Sequence, residues 1–182
     1  MFGMSRRERA DREINEITTW ILGQSMVRGS DFPPVGVFEN QFQMKIALEA
    51  CSFFLHAVDR LAYRPGNERL REAVYVAAVR QMVRTFASMI FKAWSPSPLA
   101  EIEQDNLDLF KTRQLEYGNA TRLIGKMFDL ESASWQAAHN VARAAEIPER
   151  DARVIALHLE LLNSLIAMDL ANRIKKVEGY IR

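Results

Sequence analysis

The chain has 182 residues, of which 48% are hydrophobic and 26% are charged, and it contains a single cysteine. A chain of this length with this apolar content can form a buried core, which excludes intrinsic disorder and a small disulfide-stapled fold. Lysine and arginine number 24 against 23 aspartate and glutamate residues. This balance argues against a protein that mainly binds the phosphate backbone of nucleic acids, so we expect no nucleic-acid partner.

The sequence favours a reducing compartment, because Cys51 lies in an apolar run and has no second cysteine with which to form an intramolecular disulfide. The N-terminal residues carry charges of both signs and resemble neither a signal peptide nor a transit peptide. Glu49, His56 and Asp59 interrupt the most hydrophobic region, which leaves no uncharged apolar stretch of about 18 residues. We expect a cytoplasmic protein that does not enter a membrane.

Prolines and glycines cluster at residues 29–36, 65–66 and 95–98, and Pro148 marks a further break. Between these breaks apolar residues recur at spacings of three and four rather than two. The pattern predicts an all-α, single-domain bundle of about six helices, with two central helices that are very apolar. The predicted helices cover residues 5–27, 38–63, 67–93, 98–127, 131–146 and 148–178.

Several predicted helix ends rest on capping residues. Asn67 is expected to cap the third helix, and Ser97 is expected to cap the fourth with Pro98 at its first helical position. The fourth helix is predicted to continue through Gly118 and Gly125, because its apolar face stays in phase at about 100° per residue.

Residues 1–182 are predicted to form one helical domain, since no repeat, low-complexity tract or long linker divides them. Residues 1–37 hold the first helix and a proline-rich connection. Phe2, Ile14, Trp20 and residues 32–38 are candidates for an arm that packs on a neighbouring molecule.

Candidate functional residues are polar side chains at positions where the helical pattern requires apolar ones. The second predicted helix is apolar around most of its circumference and has a polar stripe of about 100°. The residues of this stripe are Lys45, Glu49, Ser52, His56, Asp59 and Arg60. One interpretation is that Glu49, His56 and Asp59 point into a shared polar pocket. The other is that the stripe is the solvent-exposed face of the helix, with its acids paired to His56 or a nearby cation.

Two later helices carry the remaining candidates. His158 and Asp169 fall on the core-facing side of the last helix, about 16 Å apart, so each needs a partner on another helix. Asn106 and Arg113 fall within the apolar stripe of the fourth helix. Arg113 is interpreted either as the counter-ion of a carboxylate such as Asp169 or Asp59, or as a clamp for an anionic ligand.

The third predicted helix carries two arginines four residues apart, Arg80 and Arg84. Such a pair either grips a phosphate or carboxylate group, or forms ion pairs with acidic residues at the surface. The acidic residues considered as partners are Glu101, Glu103, Asp105 and Asp108.

Sequence motifs for common chemistry are absent: the chain has no P-loop, dinucleotide-binding, zincin or nucleophile-elbow pattern. The residues three positions before the histidines rule out a di-metal carboxylate site, and a single cysteine rules out a thiolate zinc site. We therefore expect no metal and no cofactor.

Two hypotheses about function follow. The first is a non-catalytic bundle that forms a homo-oligomer and binds a protein partner or a small anionic ligand, because its central helices are more apolar than one chain readily covers. The alternative is a helical enzyme or ligand sensor with a pocket among helices two, four and six. The residues predicted to line this pocket are Glu49, His56, Asp59, Arg113, His158 and Asp169.

Overall fold

A computed structural model describes residues 4–30, 39–63, 65, 67–93, 97–126 and 128–182. Of these residues 82% are helical, and the only β-type pairing among them is an isolated bridge between Arg122 and Ser132. The prediction of an all-α, single-domain bundle is confirmed.

The helices of the described residues follow the predicted segments. They are α1 (Arg6–Ser30), α2 (Glu39–Ala62), α3 (Glu68–Arg71, a π-helical turn Glu72–Val76, and Ala77–Ala93), α4 (Leu99–Gly118), α5 (Ala133–Ala144), α6 (Ala152–Met168) and α7 (Leu170–Ile181). Helices α6 and α7 together correspond to the sixth predicted segment.

The two predicted helix caps differ in how well they agree with the structure. The predicted cap at Asn67 is confirmed, because its side chain accepts a hydrogen bond from the backbone N–H of Leu70. The fourth helix differs slightly from the prediction: Pro98 is itself the N-cap residue, with ψ of 143°, and the helix begins at Leu99. The extended conformation that proline readily adopts accounts for this later start.

The prediction that the fourth helix continues to residue 127 is wrong, since α4 ends at Gly118. The chain beyond it turns toward the start of α5, where Arg122 and Leu123 accept backbone hydrogen bonds from Ala133 and Ser134 at 2.9 and 3.1 Å. These tertiary bonds replace the helical ones that a continuous α4 would need. The apolar phase beyond residue 118 therefore did not indicate a helix.

The last predicted helix is interrupted at Asp169, which has left-handed backbone angles of φ 52° and ψ 43°. Aspartate adopts this conformation more readily than most residues because its short polar side chain forms local hydrogen bonds. The prediction of one continuous helix over 148–178 is corrected at this position, where α6 ends and α7 begins.

Helix α2 lies at the centre of the bundle, in contact with α1, α3, α4, α5 and α7. Every residue from Ile46 to Val58 is buried, including the free cysteine Cys51, which has no solvent-exposed surface. Burial raises the pKa of the Cys51 thiol. Helix α6, by contrast, packs chiefly on α5 and lies at the edge of the bundle.

Residues Ala152–Ile181 are long and apolar enough to span a membrane by length and composition alone, with a mean hydropathy of 1.6 over the 18-residue window. Core helices of soluble proteins pass the same test. In this structure the stretch is divided by Asp169, and 44% of the window is buried within the chain.

Candidate functional site

The polar stripe of α2 faces α4. Glu49, Ser52 and His56 are 8%, 2% and 1% exposed, whereas Lys45 and Arg60 at the two ends of the stripe are exposed. The stripe is therefore not a solvent-exposed face of the helix. Its polar groups are buried in a helix–helix contact, where each needs a hydrogen-bonding partner.

Arg113 on α4 is the centre of a buried ionic cluster. Its Nε and Nη2 donate to the two carboxylate oxygens of Glu49, each at 2.6 Å, and its Nη1 donates to Glu116 at 2.7 Å. Hydrogen bonding to Glu49 raises the pKa of the Arg113 guanidinium. The predicted counter-ions Asp169 and Asp59 are thus not its partners; Glu49 takes this place because it lies directly opposite on α2.

His56 belongs to a hydrogen-bonded chain that links α2, α4 and α3. Its Nδ1 lies 3.1 Å from the side-chain oxygen of Gln114, so this nitrogen carries the proton and donates. The Gln114 amide nitrogen donates to Asp59 at 2.5 Å, and Arg71 Nε donates to the other Asp59 oxygen at 2.5 Å. Burial lowers the pKa of the His56 imidazole, which favours its neutral form.

A tyrosine and an asparagine extend the ionic cluster to α5. The Asn140 amide nitrogen donates to Glu116 at 3.0 Å and to the Tyr117 hydroxyl at 3.2 Å. Tyr117 is completely buried, and burial raises its pKa. Its ring meets the His56 ring edge-on, with centroids 5.5 Å apart, which joins the ionic cluster to the hydrogen-bonded chain of His56.

His158 and Asp169 lie apart from this cluster. His158 is 1% exposed, its Nε2 lies 3.0 Å from Ser134 Oγ, and its ring packs edge-on against Trp135. Burial lowers the pKa of His158. Asp169 is exposed at the junction of α6 and α7, where it accepts hydrogen bonds from Asn172. Of the six predicted pocket residues, the structure brings together Glu49, His56, Asp59 and Arg113.

Sequence reasoning missed several members of the cluster. Gln114 and Arg71 lie outside the apolar stripes of their helices, so periodicity does not single them out. Asn140 was detectable, since it falls among the alanines of the buried face of α5 and is 2% exposed. A polar residue on an apolar face is the same signal that singles out Glu49 and His56 on α2.

The remaining candidates show no shared site. Arg80 lies 3.7 Å from Glu72 of its own helix, and both side chains are well exposed, rather than pairing with the predicted acids of α4. Asn106 is 4% exposed, and its amide nitrogen has no partner within the described residues. Phe2 and residues 32–38 lie outside the part of the chain that the structure describes.

The carboxylates of the cluster are paired with arginines, which limits the reactions that they can take part in. The carboxylates of Glu49 and Asp59 are held by arginines, and the buried Nε2 of His56 has no partner among the described groups. Throughout the described ranges, no group of three His, Cys, Asp or Glu side chains is placed to hold a metal ion. The arrangement fixes α2, α3, α4 and α5 relative to one another.

A different surface is uncovered and apolar. On α6, Leu159 and Ile166 are 47% and 71% exposed. Ile166 also borders a groove of about 310 Å³. This groove is lined by Leu61, Leu123, Ile124, Leu165, Ile166, Asp169, Leu170 and Ala171. The α4–α5 connection adds Phe128 and Leu130, which are 70% and 74% exposed.

A second groove, of about 750 Å³, lies between α1 and α7. Trp20 and Met168 provide its apolar surface, and Arg12, Glu16 and Arg173 lie at its polar side. These three charged residues bind one another, since Glu16 accepts hydrogen bonds from both arginines. The groove therefore combines an aromatic surface with charged side chains that are already paired.

No protein-family model matches the chain, and no curated protein or solved structure matches it significantly.

Proposed function

We propose that this protein is a non-catalytic helical bundle that acts through self-association and through binding a protein or small-ligand partner. The observation that carries the proposal is the exposed apolar surface formed by α6 and the α4–α5 connection. Leu130, Ile166 and Phe128 are each at least 70% exposed there. The two parts of this surface adjoin where Ile124 and Ile166 border one groove, and an exposed apolar patch is typical of interaction sites.

The polar cluster supports a structural role for the residues that most resembled a catalytic site. Glu49 and Asp59 are occupied by Arg113 and Arg71, and the Glu49 carboxylate is bound at both oxygens. A group that serves as a general acid or base must reach its substrate. These carboxylates are instead used to hold helices together.

The position of α6 also favours self-association. Its buried face packs on α5, while Leu159 and Ile166 on another face are exposed. A helix that is apolar on both faces is normally covered on both. We infer that a second copy of the chain covers the exposed apolar face of α6.

Light scattering coupled to size-exclusion chromatography tests the proposal. Across a protein concentration range of about 1 to 100 μM, we expect a mass of twice the 20.9 kDa of the chain, or a larger multiple. Circular dichroism of the same samples verifies that the protein is folded. A folded protein that stays monomeric across this range contradicts self-association.

A further inference from the structure

The exposed face of α6 has the spacing of a coiled-coil seam. Ile155, Leu159, Leu162 and Ile166, called here the α6 stripe, are separated by four, three and four residues. This alternation places side chains along one line on a helix that packs against another helix. Leu159 and Ile166 are 47% and 71% exposed, and Ile155 and Leu162 are half-buried, so the line faces solvent.

The residue types and spacings of the α6 stripe are the same from either end. Its residue types run Ile, Leu, Leu, Ile, and its spacings of four, three and four are also symmetric. When two copies of such a helix lie antiparallel about a two-fold axis, each isoleucine faces an isoleucine and each leucine faces a leucine. A surface that is complementary to itself is the requirement for a symmetric dimer.

We propose that the α6 stripe pairs antiparallel with the α6 stripe of a second copy of this chain. Ile155 then lies opposite Ile166 of the partner subunit, and Leu159 lies opposite Leu162 of the partner subunit. This inference rests on the proposed self-association and specifies the surface and direction through which it occurs.

The charges along α6 do not oppose a second copy on the stripe. The exposed positions beside the stripe are Ala156 and Asn163, which are uncharged. Glu160 is already bound by Arg28 of the same chain, and Arg153 is already bound by Asp151. Pairing two α6 stripes therefore leaves neither charge without a partner.

The apolar surface around the α6 stripe extends along the helix and onto the α4–α5 connection. Helix α6 has 17 residues and is therefore about 26 Å long. The exposed side chain of Ile124, on the connection, borders the same groove as Ile166. A standard interface buries about 800 Å² per partner, so we expect the dimer contact to cover this connection as well as the stripe.

Cysteine cross-linking distinguishes the two directions. We compare Ile155→Cys, Ile166→Cys and an equimolar mixture of the two, treated with a short bis-maleimide. The native Cys51 is fully buried in α2, so it does not react in the folded protein. We expect a cross-linked dimer from the mixture and little from either variant alone, since positions 155 and 166 lie about 16 Å apart along one helix. Cross-linking of Ile155→Cys alone overturns the antiparallel arrangement.

Charge substitutions test whether the stripe is the interface. Leu159→Asp is expected to weaken the dimer by about tenfold or more, because the interface then buries an unpaired charge. The matched control is Leu115→Asp on α4, where the side chain is 75% exposed and away from α6, and it is expected to leave association unchanged. If Leu159→Asp associates as the wild type does, the stripe is not the interface, although self-association itself stands. If the wild type is monomeric, both proposals fail.

Discussion

Glu49 and Arg113 form a largely buried ion pair between α2 and α4. Their side chains are only 11% and 18% exposed. Removing one member of a buried ion pair leaves the other uncompensated, which costs more than the pair itself contributes. Glu116 also binds Arg113 and so retains part of the compensation.

Glu49→Ala is therefore expected to lower the free energy of unfolding by about 3 kcal/mol, measured by urea denaturation. Lys111→Ala serves as the control, because it removes an ion pair with Asp108 in which both side chains are more than half exposed. We expect this control to leave the free energy unchanged. An equal effect of both substitutions contradicts the assignment of a buried, coupled pair.

The single variants Glu49→Leu and Arg113→Leu form a thermodynamic cycle with their double variant. We expect it to be clearly more stable than the sum of the single effects predicts, since neither buried charge is then left without its partner. Additive effects in the same urea denaturation measurements contradict direct coupling.

Four of the six predicted pocket residues lie along the contact between α2 and α4, and the sequence shows why. Glu49, His56 and Arg113 were visible as polar residues at positions that periodicity assigns to helix contacts. Their partners were not predictable, because pairing depends on how far α4 is rotated and shifted relative to α2. Asp169 was misplaced for another reason: it ends a helix, so its position on a helical wheel has no meaning.

At the scale of secondary-structure elements, the junction of α6 and α7 depends on the left-handed conformation of Asp169. Glycine adopts this conformation without a steric penalty, and β-branched residues adopt it least readily. We expect the melting temperature to be highest for Asp169→Gly, intermediate for the wild type and lowest for Asp169→Val. The free energy of unfolding of the valine variant is expected to lie about 1 kcal/mol below that of the wild type. A valine variant as stable as the glycine variant indicates that the junction is not strained.

The α4–α5 connection depends on the absence of a side chain at Gly125. A Cβ atom added at Gly125 would lie 2.3 Å from Ser132 Cβ and 2.4 Å from Asp129 Oδ2. We expect Gly125→Ala to lower the free energy of unfolding by about 1–3 kcal/mol, because the closely packed connection must shift. Thermal denaturation measures the change. Gly23→Ala is the control, since no atom lies within 4 Å of its added Cβ, and there alanine is expected to stabilise α1.

Sequence periodicity located the six helical segments within a few residues but not the ends of α4 and α6. Periodicity reports which face of a helix is apolar, and both stretches continue the apolar pattern past their ends. What ends them is tertiary: the connection bonds to the start of α5 through Ala133, and Asp169 turns the chain toward α1. Contacts between distant segments carry no periodic signal.

At the scale of the whole molecule, two buried histidines make stability depend on pH. Burial lowers the pKa values of His56 and His158 below the 6.5 that applies in the unfolded chain. Between the native and unfolded values the unfolded chain binds more protons, so acidification favours unfolding. We expect the free energy of unfolding to fall as pH decreases below about 6.5, by at most about 1.4 kcal/mol per pH unit for each histidine.

Urea denaturation at pH 7, 6 and 5 measures this dependence. His56→Gln removes one titrating group, so the fall between pH 7 and pH 5 is expected to be shallower for this variant than for the wild type. His158→Gln is also expected to make this fall shallower. Parallel pH profiles for the wild type and both variants contradict the role of the two imidazoles.

The burial of Cys51 gives the protein an internal probe of its own opening. The only thiol of the chain lies in the middle of α2 with no exposed surface, and burial disfavours the reactive thiolate. A thiol reagent therefore reaches it only when the helices around α2 separate. The rate of labelling at Cys51 then reports how often the centre of the bundle opens, in a chain with no added dye or engineered residue.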